Sequence, residues 1–262
     1  MSPRLQRVCG PRQLRRYLVF ALLVTGGSLA VFAAALGRAA PTRHAIVFRI
    51  SHFQCYAVDP TSRTRPRKVL LRDQFGAGTG VAYPLVGLCN PVRKNGSPVR
   101  NPRAHLACYR LTSTKPFTQR QVAVTNQLDR NARLVVTSPQ RLCLPTGKSL
   151  RPTVFPPLPK GLDHFECYPV KPLKPLPPHS VKLADEFGSS AARTLRPSSL
   201  CNPVSKNRGT ILNRRDHLVC YDLTSTKSTP RRLAITNQFG RATLVATRAL
   251  TLCVPSLKKT LS

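Results

Sequence analysis

Four histidines each stand three residues ahead of a cysteine and four ahead of a tyrosine, in His52-Phe53-Gln54-Cys55-Tyr56, His105-Leu106-Ala107-Cys108-Tyr109, His164-Phe165-Glu166-Cys167-Tyr168 and His217-Leu218-Val219-Cys220-Tyr221. Imidazole and thiolate are zinc's usual ligands, but zinc takes them in tight clusters. The sequence has no Cys-x-x-Cys pair, so no metal is expected. On a strand, side chains alternate between faces, which puts each His with its Tyr on one face and Phe or Leu with Cys on the other. The expectation is a repeated His–Tyr pair (His52/Tyr56, His105/Tyr109, His164/Tyr168, His217/Tyr221) beside a buried apolar face, with these pairs as a candidate binding surface.

Hydrolytic chemistry needs a nucleophile, a base and an orienting acid assembled once. No Gly-x-Ser-x-Gly elbow, His-Glu-x-x-His pair or glycine-rich phosphate loop occurs. The recurring acids Asp73 and Asp185 occupy a position that takes Asn126 and Asn237 in the other two repeats, which suits a structural Asx. No catalytic residue, no enzyme and no cofactor are expected.

Charge points to a different chemistry. Lys and Arg number 42 against 9 acids, and from Pro41 onward 36 bases still face all nine acids. A field of that sign attracts polyanions, whether nucleic acid or an acidic envelope polymer. The cluster Arg63, Arg65, Arg67 and Lys68 is the candidate for sequence-independent phosphate contact. Aromatic residues are 6% of the chain and no recognition motif is present, which argues against a dedicated nucleic-acid reader.

These residues belong to a repeat. Cysteines 55, 89, 108 and 143 recur as 167, 201, 220 and 253, shifted by 112 residues at the first three positions. Each of these two copies is itself doubled. A half-module opens on His-x-x-Cys-Tyr and passes through Asp73-Gln74-Phe75-Gly76, Asn126-Gln127-Leu128-Asp129, Asp185-Glu186-Phe187-Gly188 or Asn237-Gln238-Phe239-Gly240. It closes on Leu-Cys-x-Pro. Apolar residues alternate before each Asx turn (Val69, Leu71, Phe75; Leu233, Ile235, Phe239), the period of half-buried strands.

The fold class expected is all-β: two tandem disulfide-stabilised sandwich or barrel-like modules, each an internal pseudo-duplication, with three short strands per half. Module boundaries fall at 44–146 and 161–257, joined by a Pro-rich linker at 147–160. Asn95-Gly96-Ser97 reads as a turn rather than a glycosylation site.

Residues 1–40 read as a signal peptide or an N-terminal membrane anchor. Arginines up to Arg15-Arg16 precede an uncharged apolar run, residues 17–36, followed by small residues. Uncleaved, the run is long enough to span a bilayer, with Arg holding that end in the cytoplasm and the remainder outside. The chain is then either secreted or anchored to the cytoplasmic membrane, its partner an unknown extracellular or envelope component. In that compartment the eight cysteines after the apolar run are oxidised. Four cysteines per module permit three pairings. The doubling favours pairing within each half: Cys55–Cys89, Cys108–Cys143, Cys167–Cys201 and Cys220–Cys253.

The combination His-x-x-Cys-Tyr, Asp/Asn-Gln-Phe-Gly and Leu-Cys-Asn-Pro-Val with a following Lys-Asn (Lys94-Asn95, Lys206-Asn207) resembles an uncharacterised β domain family of exported bacterial and archaeal proteins, here in two copies. The resemblance implies no activity. It covers about residues 48–145 and 160–256, and the sequence departs from it at Leu128-Asp129 and Glu186. On these grounds the function expected is a non-enzymatic extracellular or envelope module for binding or structure, with a charge-driven polyanion binder as the alternative and an enzyme of unrecognised type as a second.

Overall fold

The computed structural model describes residues 46–224 and 229–261. The candidate signal or anchor, residues 1–40, lies outside them. Among the described residues there is no helix. The elements are β1 (His52–Pro60), β2 (Arg67–Asp73), β3 (Gly76–Lys94), β4 (His105–Ser113), β5 (Arg120–Thr125), β6 (Ala132–Val136), β7 (Arg141–Ser149), β8 (His164–Pro172), β9 (Ser180–Asp185), β10 (Gly188–Lys206), β11 (His217–Leu223), β12 (Arg231–Asn237) and β13 (Gly240–Leu261). The repeated half-modules are thus β1–β3, β4–β7, β8–β10 and β11–β13.

Each half follows one plan. A first strand carries His-x-x-Cys-Tyr, a second runs to the Asx turn, and a third returns from the turn to Leu-Cys-x-Pro. The third strands are not short: β3 and β10 span 19 residues and β13 spans 22, and only in the second half is this stretch broken, into β6 and β7. The turns differ as well. Gly76, Gly188 and Gly240 take φ of 119–130° and reverse the chain in two residues. The second half has Asp129 at that position, and the chain turns later, with Asn131 at φ 52°.

Eight strands pair in a closed circuit. Within each half the first strand pairs antiparallel with the end of the third (β1–β3, β4–β7, β8–β10, β11–β13). Between halves the third strand pairs with the next first strand (β3–β4, β7–β8, β10–β11), and β13 pairs with β1 to close the ring. The hairpins made by the second strands lie off this path, so the 13-stranded sheet is not a clean barrel.

The hairpins pair with the opposite half, not their own. β2 adds to β10, β9 to β3, β12 to β7 and β5 to β13. The expectation of two separate modules is corrected here: strands from 44–146 and 161–257 share one sheet, and Ile46–Ser262 is one compact unit. The physical reason is edge satisfaction. A half-module offers unpaired strand edges, and those edges find backbone partners only on other halves. The segment expected as a linker begins inside β7 and folds back, for a Cβ on Gly147 would meet the Pro157 carbonyl oxygen at 2.3 Å. Asn95 and Gly96 both take positive φ, the turn expected there.

Candidate functional site

The four disulfides pair within halves, Cys55–Cys89, Cys108–Cys143, Cys167–Cys201 and Cys220–Cys253. In each, the two cysteines are direct cross-strand partners. Because side chains alternate, all eight point to the same side of the ring, and they form one cluster with Phe53, Leu106, Phe165 and Leu218. This is the lumen. Neighbouring disulfides nearly touch there: Sγ to Sγ is 3.6 Å from Cys55 to Cys253, 3.9 Å from Cys89 to Cys108 and 3.9 Å from Cys143 to Cys167.

Register builds the lumen in layers two residues apart. The floor layer pairs Phe53 with Pro91, Leu106 with Pro145, Phe165 with Pro203 and Leu218 with Pro255. The middle layer is the disulfides. The third layer pairs Ala57 with Gly87, Arg110 with Arg141, Pro169 with Ser199 and Asp222 with Thr251. The first two layers are the repeated motif, while in the third the four halves carry different chemistry. A cavity of about 420 Å³ occupies this space, lined by all eight cysteines, the floor residues Leu106, Phe165 and Leu218, and third-layer residues including Gly87, Arg141, Ser199 and Thr251. That volume lies in the range of small-molecule sites, and its lining is mostly apolar with a few polar groups near the mouth. Arg110, Gln140 and Arg141 are exposed, which marks the third layer as the open end.

The His–Tyr residues face the other way, into the interface between ring and hairpins. Each tyrosine hydroxyl meets the Asx of the opposite half. Tyr56 donates to Asp185 Oδ2 (2.8 Å), Tyr168 donates to Asp73 Oδ2 (2.8 Å), and Asn126 and Asn237 donate to Tyr221 and Tyr109 (3.0 Å each). Three of these rings also take the following Phe edge-on: Tyr56 with Phe187, Tyr109 with Phe239 and Tyr168 with Phe75, centroids 4.9–5.1 Å apart. The second half has Leu128 there, and Asp129 instead accepts from Tyr221 (2.7 Å).

The imidazoles meet the second residue of the next half's turn: His52 with Gln127, His164 with Gln238 (3.1 Å each) and His105 with Glu186 (3.6 Å). Burial, reinforced by a nearby lysine, pushes His52 and His164 down to about 4 and His105 and His217 to about 3. They are neutral at pH 7, so His105 and Glu186 are not an ion pair there. Those lysines, Lys94, Lys148, Lys206 and Lys258, all lie five residues past a closing cysteine. Three sit over a turn phenylalanine, at 4.0–5.5 Å from its centroid.

One interface is more highly charged than the rest. Lys115 Nζ lies 2.8 Å from Asp73, 3.2 Å from Glu166 and 2.9 Å from the Tyr168 hydroxyl, all buried. The Tyr168 hydroxyl is 2.8 Å from both carboxylates and has one proton to give. A proton on Glu166 satisfies both contacts, in accord with the upward shift that burial imposes on that carboxyl. Among the described residues no group of three or more His, Cys, Asp or Glu is placed to hold a metal ion.

The structure therefore gathers the His and Tyr residues into packing between ring and hairpins, all buried except the half-buried His164, and leaves Arg63, Arg65, Arg67 and Lys68 exposed on the β1–β2 connection and the start of β2. Sequence reasoning missed the third lumen layer. Its signal was present in the aligned halves, two residues after the first cysteine and two before the second, where the columns read Ala, Arg, Pro, Asp and Gly, Arg, Ser, Thr. The repeated lysine also went unread in Lys148 and Lys258.

No curated protein and no solved structure matches the chain. A family model described as a repeat of unknown function, DUF7450, matches residues 105–255, more than half of the sequence and from the second half-module through the fourth. The chain belongs to that family of repeats of unknown function.

Proposed function

We propose that this protein is a non-enzymatic binding module of the cell exterior or envelope, exported by its N-terminal segment, that receives the apolar part of a ligand in the disulfide-lined lumen. The observation that carries this reading is the third lumen layer: four halves that share the disulfide and the closing proline of the lower layers differ where the cavity opens. Four disulfides suit an oxidising compartment. The repeated His, Tyr, Asx and Lys residues are all engaged in packing, whereas the lumen is a concave surface with unspent chemistry.

The test is a titration with the neutral apolar fluorophore N-phenyl-1-naphthylamine, comparing the natural chain with Gly87→Phe. A Cβ at Gly87 meets nothing closer than the Tyr56 carbonyl oxygen at 3.5 Å and Cys108 Cβ at 3.7 Å, so a side chain there enters the mouth without a clash at its base. Saturable one-to-one enhancement that disappears in a Gly87→Phe variant of unchanged Tm supports the reading. Enhancement that does not saturate, or that persists in the folded variant, overturns it. N-terminal sequencing of the exported protein tests export and cleavage.

A second reading, contact with an acidic polymer by charge, rests on the exposed Arg63, Arg65, Arg67 and Lys68. Retention on a heparin matrix that falls steeply with salt, and falls further when these four become Gln, supports it.

A further inference from the structure

The lumen's third layer is electrically lopsided. Arg110 and Arg141 are directly opposite one another on β4 and β7, two residues beyond Cys108 and before Cys143. Like charges in directly opposed cross-strand positions destabilise a sheet. Both side chains are exposed, and neither has an ion-pair partner among the described residues. The one acid in the layer, Asp222, is across the mouth and lies against Arg196 at 3.5 Å. The other two pairs, Ala57 with Gly87 and Pro169 with Ser199, are uncharged. Arg141 therefore lines the mouth of an apolar cavity, with Arg110 directly opposite it on β4 and no acid paired to either. Guanidinium donors are arranged as a planar fork, the arrangement that carboxylate and phosphate oxygens accept in pairs.

We propose that the ligand is an anionic amphiphile, its head held between Arg110 and Arg141 and its apolar tail lowered past the disulfides toward Phe165 and Leu218. This rests on the lumen reading and adds the ligand class to it. At about 30 Å³ per water-sized group, a cavity of about 420 Å³ takes roughly a dozen such groups. That matches a medium-length acyl chain better than a long one. The depth agrees: from the third layer to the floor is four residues of strand, about 13 Å.

The experiment displaces bound N-phenyl-1-naphthylamine from the full chain with decanoate, decanol and decylamine at pH 8, and with acetate as the head group alone. It is repeated on Arg110→Gln/Arg141→Gln and on Arg110→Lys/Arg141→Lys. Decanoate binding on the order of tenfold more tightly than decanol is expected, with decylamine weakest and acetate inert at the same concentrations. In the Gln pair the decanoate advantage falls to near one while decanol is unchanged. In the Lys pair it is intermediate, since charge is kept and the fork is lost. Without ligand, the Gln pair has an equal or higher Tm, because a like-charge contact has been removed.

Equal affinities for decanoate and decanol would overturn the anionic head and leave the lumen reading standing. Displacement by acetate as effective as by decanoate would overturn the amphiphile, reducing the pair to a simple anion contact. Failure of the neutral fluorophore to bind at all would remove both proposals together.

Discussion

The imidazoles of His52, His105, His164 and His217 are neutral in the fold because burial, and after it the charge of a neighbouring lysine (Lys94, Lys148, Lys206 and Lys258 in turn), disfavours a proton on each. Unfolded, each titrates near 6.5. Between that value and about 3–4 the unfolded chain therefore binds more protons than the folded one, so stability is full above about pH 6.5 and drains away as pH falls through the folded values. Glu166 and Asp163, both raised by burial, act in the opposite sense, but they are two groups against four. Tm measured across pH 4–7 should fall steadily toward acid. A flat profile would show that the histidines are not buried neutral. The tyrosines divide by partner. Tyr168→Phe leaves Asp73, Glu166 and Lys115 buried with a bond missing and should cost about 2–4 kcal/mol, whereas Tyr109→Phe removes only a neutral Asn237 contact and should cost about 1 kcal/mol. Denaturant midpoints for the pair check the difference in sign and order.

At the scale of elements, the half-module was written plainly in the sequence. Alternating apolar residues before each Asx turn gave the hairpins, His-x-x-Cys-Tyr gave the first strands, and the doubling gave the disulfide pairing that the structure shows. What periodicity could not convey was where a hairpin goes once formed. Tyr168 and Asp73 are 95 residues apart, and nothing local to either states that they meet. The same limit hid the reach of the third strands, since the alternation in β3 is interrupted by register shifts between Ala82 and Gly87 where the strand passes from hairpin to ring. It hid the mouth too, because sequence comparison draws the eye to what repeats, and the mouth is where repetition stops. The crossing of elements also explains a small residue. A Cβ on Gly78 would meet Lys115 Cβ at 2.6 Å and Cα at 2.8 Å, because the chain after β4 runs directly over the β2–β3 hairpin. Gly78→Ala should therefore cost about 1–3 kcal/mol by overpacking, while Gly87→Ala, with room around it, should be nearly neutral in Tm.

For the molecule as a whole, the closed circuit means that no half or pair of halves is complete. Residues 46–150 alone lack the partners of β2, β3 and β7, yet two such pieces offer each other equivalent edges. The fragment is expected to fold only as a dimer with its twin filling the place of residues 161–261. A folded monomer by light scattering would contradict the interlocked topology. The sulfur contacts around the lumen have a consequence of their own. They link the eight cysteines in one line, 201–167, 143–108, 89–55 and 253–220, alternating bond and contact. A thiolate displaces sulfur from a neighbouring disulfide with no oxidant consumed: one S–S bond forms as another breaks. In Cys220→Ser the orphaned Cys253 faces Cys55, whose bond to Cys89 can be exchanged, and so on along the line. The vacancy then migrates with a fixed parity. Alkylation should mark Cys253, Cys89, Cys143 and Cys201 in some proportion and never Cys55, Cys108 or Cys167, so that a lesion made at Cys220 is carried, sulfur by sulfur, around the ring to the strand beside it.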